Sequence, residues 1–98
     1  MPYIKEEDRE KWTEEELNKV ANKIETHGEL NYIVSRIIGK YLLAKGINYD
    51  NMDHISGTLD CIKTEFQRRV MSHYEEAKIA SNGDIDEYAD IKKQINCL

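Results

Sequence analysis

The sequence lacks long apolar runs, has one proline, and contains no signal-peptide pattern at its start. A helix that crosses a bilayer needs roughly 20 consecutive apolar residues, and no run here approaches that length. Residues 1–7 carry neither the basic stretch nor the apolar region of a secretory signal. We therefore expect a cytoplasmic protein without a membrane partner.

Residues that carry catalysis or bind metals are few and scattered. Cys61 and Cys97 form no Cys-x-x-Cys pair, so reduced thiols are expected. None of the three histidines lies in a metal-binding motif, and no serine lies in a Gly-x-Ser-x-Gly sequence. A glycine-rich phosphate-binding loop is also missing. The sequence therefore predicts a protein that is not an enzyme and has no metal site and no cofactor.

Charged residues make up 34% of the chain, apolar residues 40%, and the net charge is −5. This balance is typical of a helical globular protein and not of a disordered one. The acidity argues against nucleic acid as a partner, because DNA binding relies on a basic face. The charge is uneven, however, since residues 30–46 contain Arg36, Lys40 and Lys45 and no acidic residue. A small DNA-binding regulator therefore remains an open alternative.

Helical periodicity is clearest in the first half of the chain. Two capping boxes, Thr13-x-x-Glu16 and Thr26-x-x-Glu29, predict helix starts. Gly46 predicts the end of the second helix, because glycine readily adopts the left-handed backbone that ends many helices. Between Thr26 and Gly46 the apolar residues follow one helical stripe: Leu30, Ile33, Val34, Ile37, Ile38, Tyr41 and Leu42.

A third apolar stripe follows Asp50, the predicted N-cap, and continues to Asn82-Gly83 without a break at Gly57. A short C-terminal helix follows. The predicted fold is thus all-α, with three main helices at residues 13–25, 27–45 and 51–81, a long third helix, and the short C-terminal helix. Residues 1–98 are predicted to form a single domain.

The predicted third helix is too long for a domain of this size. About 30 residues give a helix of about 45 Å, whereas a compact 100-residue domain measures about 35 Å across. Its apolar stripe continues through Val70, Tyr74 and Ala77, and soluble monomers avoid such exposed ridges. We therefore expect a helical bundle that is completed by self-association, most simply as a symmetric homo-oligomer.

Tyrosine and arginine are the residue types that suggest a binding site. Six tyrosines stand against one phenylalanine and one tryptophan, and tyrosine is favoured where a surface contacts a ligand or a partner. Arg68 and Arg69 lie in the middle of the long helix, where a guanidinium could bind a phosphate or a carboxylate. The alternatives also stay open: the tyrosines could rim the core, and the arginines could pair with Glu65, Glu75 or Glu29.

The chain also resembles a family of small uncharacterised helical proteins of bacteria and of phages or prophages. The resemblance rests on four segments in order: Pro2-Tyr3-Ile4-Lys5 with Asp8-Arg9, then Gly28-Glu29-Leu30-Asn31-Tyr32, then Glu65-Phe66 with Arg68-Arg69, and then Tyr74-Glu75 with Asn82-Gly83-Asp84. It covers residues 2–85, so residues 86–98 are interpreted as a C-terminal extension. The resemblance implies a helical fold and the cytoplasm of a bacterial cell or phage-infected host, but no activity.

The matching positions are largely polar or tyrosine, whereas a purely structural signature would favour the apolar stripe. We therefore predict a non-enzymatic homo-oligomer that binds or sequesters a small anionic, nucleotide-like ligand. Tyrosine rings would stack on a base and arginine would hold phosphate. The predicted ligand-binding residues are Tyr3, Asn31, Tyr32, Arg68, Arg69 and Tyr74. The alternative is a protein–protein adaptor that docks a partner through the long third helix.

Overall fold

A computed structural model describes residues 3–98, and Pro2 of the family-like pattern lies outside this range. The described residues are all-helical, with 79% helix and no strand. In chain order the structure contains a 3-10 turn (Glu6–Arg9), α1 (Glu14–Ala21), α2 (His27–Lys45), α3 (Tyr49–Phe66), a π-helical turn (Gln67–Met71), α4 (Ser72–Asn82) and α5 (Asp86–Asn96). The predicted fold class is confirmed.

Both predicted capping boxes begin helices. The Thr13 hydroxyl accepts a hydrogen bond from the Glu16 N–H at 3.2 Å, and that of Thr26 accepts one from the Glu29 N–H at 3.1 Å. The Thr26 hydroxyl also donates to the Glu29 carboxylate at 3.3 Å. The two bonds from the Glu16 N–H and the Glu29 N–H satisfy backbone donors that the first helical turn leaves free. The predicted bounds of α2 are therefore correct, whereas α1 ends at Ala21, four residues before its predicted end.

The link between α2 and α3 depends on one glycine and two asparagines. Gly46 has φ 115° and ψ 138°, a conformation that residues with a Cβ rarely adopt. The Asn48 side chain accepts a hydrogen bond from the Asn51 N–H at 2.8 Å, and Asn51 donates its amide to the Gly46 carbonyl at 2.9 Å. The prediction of Asp50 as N-cap is therefore wrong, because Asn48 makes that contact and Asp50 lies within the first turn of α3.

Helical structure runs from α3 through the π-helical turn into α4, so the long third helix is confirmed and spans residues 49–82. Gly57 lies inside it without a break. The π-helical turn at Gln67–Met71 was not predicted. At its end the Ser72 N–H and the Ser72 hydroxyl both bond to the Gln67 carbonyl, the latter at 2.9 Å. Gly83, with φ 91°, ends α4.

The described chain divides into two compact units, one ending at Cys61 and the other covering Ile62–Leu98. In the second unit Lys92 of α5 lies 3.5 Å from Glu76 of α4 and 3.3 Å from Asp84 in the loop before α5. The hydrogen bond to Asp84, and then the charges of Asp84 and Glu76, raise the pKa of Lys92 above its usual value. This ion pair network links α4 to α5.

Neither unit has a buried core within residues 3–98, where every side chain is exposed or half-buried. In the first unit the apolar residues with the lowest exposure are half-buried, among them Ile33, Ile38 and Leu42 of α2 and Ile55 of α3. In the second unit Ile79 and Ala89 are the corresponding positions. Helices in proteins normally gain most of their stability by packing an apolar face.

Candidate functional site

An open groove runs along one face of α2 and encloses about 450 Å³. Its lining residues recur at three- and four-residue intervals, so they lie on one side of the helix. They are Tyr32, Ser35, Arg36, Gly39, Lys40 and Leu43. Gly39 has no side chain and Ser35 has a short one, and the longer neighbours form the walls of the groove.

The surface of the groove is mostly apolar, and two basic side chains and one aromatic ring line it. The Arg36 guanidinium donates a hydrogen bond to the Tyr32 hydroxyl oxygen at 2.7 Å and lies 5.7 Å from the centre of the ring. Lys40 is one helical turn further along the same face. Because residues 30–46 contain no acidic side chain, no carboxylate of this segment neutralises the two cations. The arrangement can bind an anion at the cations and a flat apolar group at the tyrosine.

Two of the predicted ligand-binding residues lie on α2. Tyr32 is in the groove, where its hydroxyl accepts the bond from Arg36. Asn31 lies beside it, and its side-chain oxygen accepts a hydrogen bond from the Ser35 hydroxyl at 3.2 Å. Ser35 itself lines the groove. Asn31 is therefore linked to the groove through its hydrogen bond with Ser35.

Arg68 and Arg69 lie in the π-helical turn and share one carboxylate. Arg68 donates to Glu65 Oε1 at 2.5 Å, and the Arg69 guanidinium is 3.7 Å from Glu65 Oε2. The Glu65 side chain is only 16% exposed, so it is held close to the helix. This is one of the pairings that the sequence analysis left open. An anionic ligand at this position would have to compete with Glu65 for both guanidinium groups.

The remaining predicted residues lie apart from these clusters along the chain. Tyr74 on α4 has the Lys78 ammonium 5.5 Å from the centre of its ring. Tyr3 precedes the 3-10 turn and is 52% exposed. The backbone next to it is fixed, because Arg9 Nε donates to the Ile4 carbonyl at 3.0 Å. The predicted site residues are thus divided between the two units. Tyr3, Asn31 and Tyr32 belong to the first unit, and Arg68, Arg69 and Tyr74 belong to the second.

Sequence reasoning missed most of the groove on α2. Ser35, Arg36, Gly39, Lys40 and Leu43 were not among the predicted site residues. A usable signal was present, since residues 30–46 carry three basic groups and no acidic one. The apolar stripe on the other side of α2 is the stronger sequence pattern, so this segment was interpreted as a packing helix and not as a binding site.

The described residues 3–98 were also searched for metal-binding clusters and for membrane-spanning helices. Within this range no three histidine, cysteine or acidic side chains lie close enough to hold a metal ion together. No helix within it combines the length and the apolar character that crossing a membrane requires.

Fold and site together define a small all-α protein with an open groove on its second helix. A family model described as a domain of unknown function (DUF6899) matches residues 1–85, and the chain belongs to this family. The match ends just before α5, which covers Asp86–Asn96. No curated protein and no solved structure matches the chain.

Proposed function

We propose that this protein is a non-enzymatic helical homo-oligomer that binds or sequesters a small anionic, nucleotide-like ligand in a bacterial cell or phage-infected host. The observation that carries the proposal is the exposure of apolar side chains in both units. Large apolar residues such as Ile37, Ile62 and Ile91 are at least half exposed, and no side chain in residues 3–98 is buried. Such faces are stable in water only when another surface covers them.

The exposed area supports a cover of substantial size. The chain exposes 9247 Å², whereas a folded monomer of 11.5 kDa typically exposes about 5,800 Å². The difference of about 3,400 Å² per chain amounts to about 6,800 Å² for two copies, which is more than the roughly 2,000–5,000 Å² that obligate dimer interfaces bury in total. Copies of the same chain provide matching apolar faces without a second gene product.

The ligand proposal follows from the groove on α2. Arg36 and Lys40 provide positive charge, and Tyr32 provides a ring on which a base could stack. Asn31 adds an amide next to the groove. The other proposed ligand residues are Tyr3, Arg68, Arg69 and Tyr74. Of these, Arg68 and Arg69 would contribute only if the ligand displaced Glu65.

Native mass spectrometry of protein purified directly from cells tests both parts of this proposal. We expect an oligomer that carries extra mass, which denaturation releases as a small anion. Arg36→Glu should abolish the extra mass and leave the oligomer intact. Lys45→Glu is the matched control, because it makes the same charge change on α2 outside the groove, and it should retain the ligand.

Two results would contradict the proposal. An oligomer without extra mass, which also fails to bind added nucleotides, would exclude the ligand. A monomer at micromolar concentration would exclude the assembly as well.

The adaptor function remains the second candidate, and one observation favours it. Residues 49–82 expose large apolar side chains along their length: Met52, Leu59, Ile62, Phe66, Val70 and Tyr74. A helical segment with apolar residues at such spacing can dock into the groove of another protein. An adaptor would co-purify with a different polypeptide and would be indifferent to Arg36→Glu.

A further inference from the structure

One face of α2 carries apolar residues at the spacing of a coiled-coil seam. Leu30, Val34, Ile37 and Tyr41 are separated by four, three and four residues, and they are 38–56% exposed. Alternating steps of three and four residues place side chains on the line along which two helices pair. None of these four side chains is buried, although the Lys45 ammonium lies 5.8 Å from the centre of the Tyr41 ring.

The residues beside the seam widen the apolar surface. Ile33 lies on one side of the seam and Ile38 on the other, and both are half-buried. At roughly 100° per residue, the groove of Tyr32, Arg36 and Leu43 is centred on the far side of α2. A helix paired at the seam would therefore leave Tyr32, Arg36 and Leu43 open to ligand, whereas Lys40 lies between the centre of the groove and the seam.

The charges beside the seam decide the direction of pairing. In a parallel pair, a residue on the side of the seam that carries Ile33 and Lys40 meets the residue five positions later in the partner helix. Lys40 of each copy would then lie against Lys45 of the other, which gives two repulsive contacts. In an antiparallel pair Lys40 lies beside Ile33 of the other copy, where its aliphatic stem can pack. The antiparallel direction therefore avoids contacts between like charges.

We propose that α2 of one copy pairs antiparallel with α2 of a second copy through Leu30, Val34, Ile37 and Tyr41. Leu30 of each copy packs against Tyr41 of the other, and Val34 packs against Ile37. The four contacts are related by a two-fold axis between Val34 and Ile37, as an isologous dimer interface requires. This inference rests on the proposed homo-oligomer and names the surface at which two copies meet.

Disulfide trapping tests the pairing and its direction. In a Cys61→Ser, Cys97→Ser background, Leu30→Cys and Tyr41→Cys are made separately, refolded alone or as an equimolar mixture, and oxidised. In the antiparallel pair, identical positions lie about 16 Å apart along the helix axes, at 1.5 Å per residue. A disulfide requires Cα atoms within about 7 Å. We expect at least tenfold more covalent dimer in the mixture than in either variant alone, with one copy of each variant per dimer.

The other outcomes overturn the inference in distinguishable ways. Covalent dimers in the single variants would show parallel pairing. An oligomer by native mass spectrometry that forms no covalent dimer in the mixture would place the interface elsewhere and leave the proposed homo-oligomer standing. A monomeric parent protein would contradict both, and capture of a different polypeptide at this seam would replace the second copy as its occupant.

A second measurement requires no substitution and guards against variants that fail to fold. Mixed isotope-labelled copies of the natural chain should give contacts between the Leu30 methyl groups of one copy and the Tyr41 ring of the other. Within one copy these residues are eleven positions apart on a single helix, so the contact cannot arise inside a chain. Contacts of Leu30 with Leu30 and of Tyr41 with Tyr41 would contradict the antiparallel pair.

Discussion

The two units of the chain stabilise their local structure by different means. In the first unit, side chains close to the helix ends bond to the backbone, as Thr26 does to the Glu29 N–H and Asn48 to the Asn51 N–H. In the second unit, ion pairs predominate, with Glu65 binding two arginines and Lys92 lying between two carboxylates. Caps fix where a helix begins, whereas exposed ion pairs contribute little to stability.

Both units nevertheless leave their apolar faces uncovered within residues 3–98. Capping bonds and exposed ion pairs are too weak to offset the conformational entropy that a chain loses on folding. The burial of apolar side chains normally offsets that loss. In the proposed homo-oligomer these faces become buried when copies of the chain meet. The predictions below ask which unit supplies the essential surface and how much each kind of local contact contributes.

The largest effect is expected from Ile37→Asp in the proposed seam of the first unit. Burying an unpaired carboxylate costs at least about 3 kcal/mol, so association should weaken by more than 100-fold and helix content should fall. Circular dichroism and sedimentation velocity measure both changes. Leu43→Asp is the matched control, because Leu43 lies on the opposite face of α2 and is 70% exposed. If both variants dissociate equally, the seam has no special role.

A smaller effect is expected from Thr26→Ala, which removes the cap of α2. The loss of the hydrogen bond to the Glu29 N–H should lower the free energy of unfolding by about 1 kcal/mol. Thr26→Ser keeps a hydroxyl at the same position and should restore most of this loss. Chemical denaturation at fixed protein concentration measures the difference. An unchanged midpoint for Thr26→Ala would show that the cap contributes nothing.

Some helix boundaries could be predicted from the sequence and others could not. The bounds of α2 could be predicted because Thr26 and Gly46 are residue types with specific backbone roles. The π-helical turn could not, because Arg68 and Arg69 are ordinary helix formers and no residue there marks an altered bond pattern. Asn48 and Asp50 are both residue types that favour the N-cap position, so the sequence alone did not show which of them caps α3.

The candidate site was only partly predictable for a related reason. Tyr32 was identified by its residue type, but Arg36 and Lys40 become a site only when the helix phase places them beside Tyr32 and Gly39. For Arg68 and Arg69 the sequence left open both the binding of an anion and pairing with Glu65, Glu75 or Glu29. The structure shows both guanidinium groups next to Glu65.

The smallest effect is expected from Lys92→Gln in the second unit. The pKa of Lys92 is raised in the folded protein. The stabilisation that its ion pairs give the folded state is therefore fully present below the usual lysine pKa of about 10.4, and it is lost as the pH rises through the raised pKa. The Cα chemical shifts of residues 86–96 should thus stay helical from pH 7 to 9 in the natural chain. Lys92→Gln should reduce their helicity slightly across this whole range. Identical shifts in the two proteins would show that the ion pairs do not hold α5.

Sedimentation equilibrium of the natural chain at micromolar concentration tests the proposed homo-oligomer directly. We expect a mass that is an integral multiple of 11.5 kDa and at least twice that value, together with unfolding that depends on protein concentration. A mass of 11.5 kDa with cooperative, concentration-independent unfolding would contradict it, because a single chain would then cover its own apolar faces.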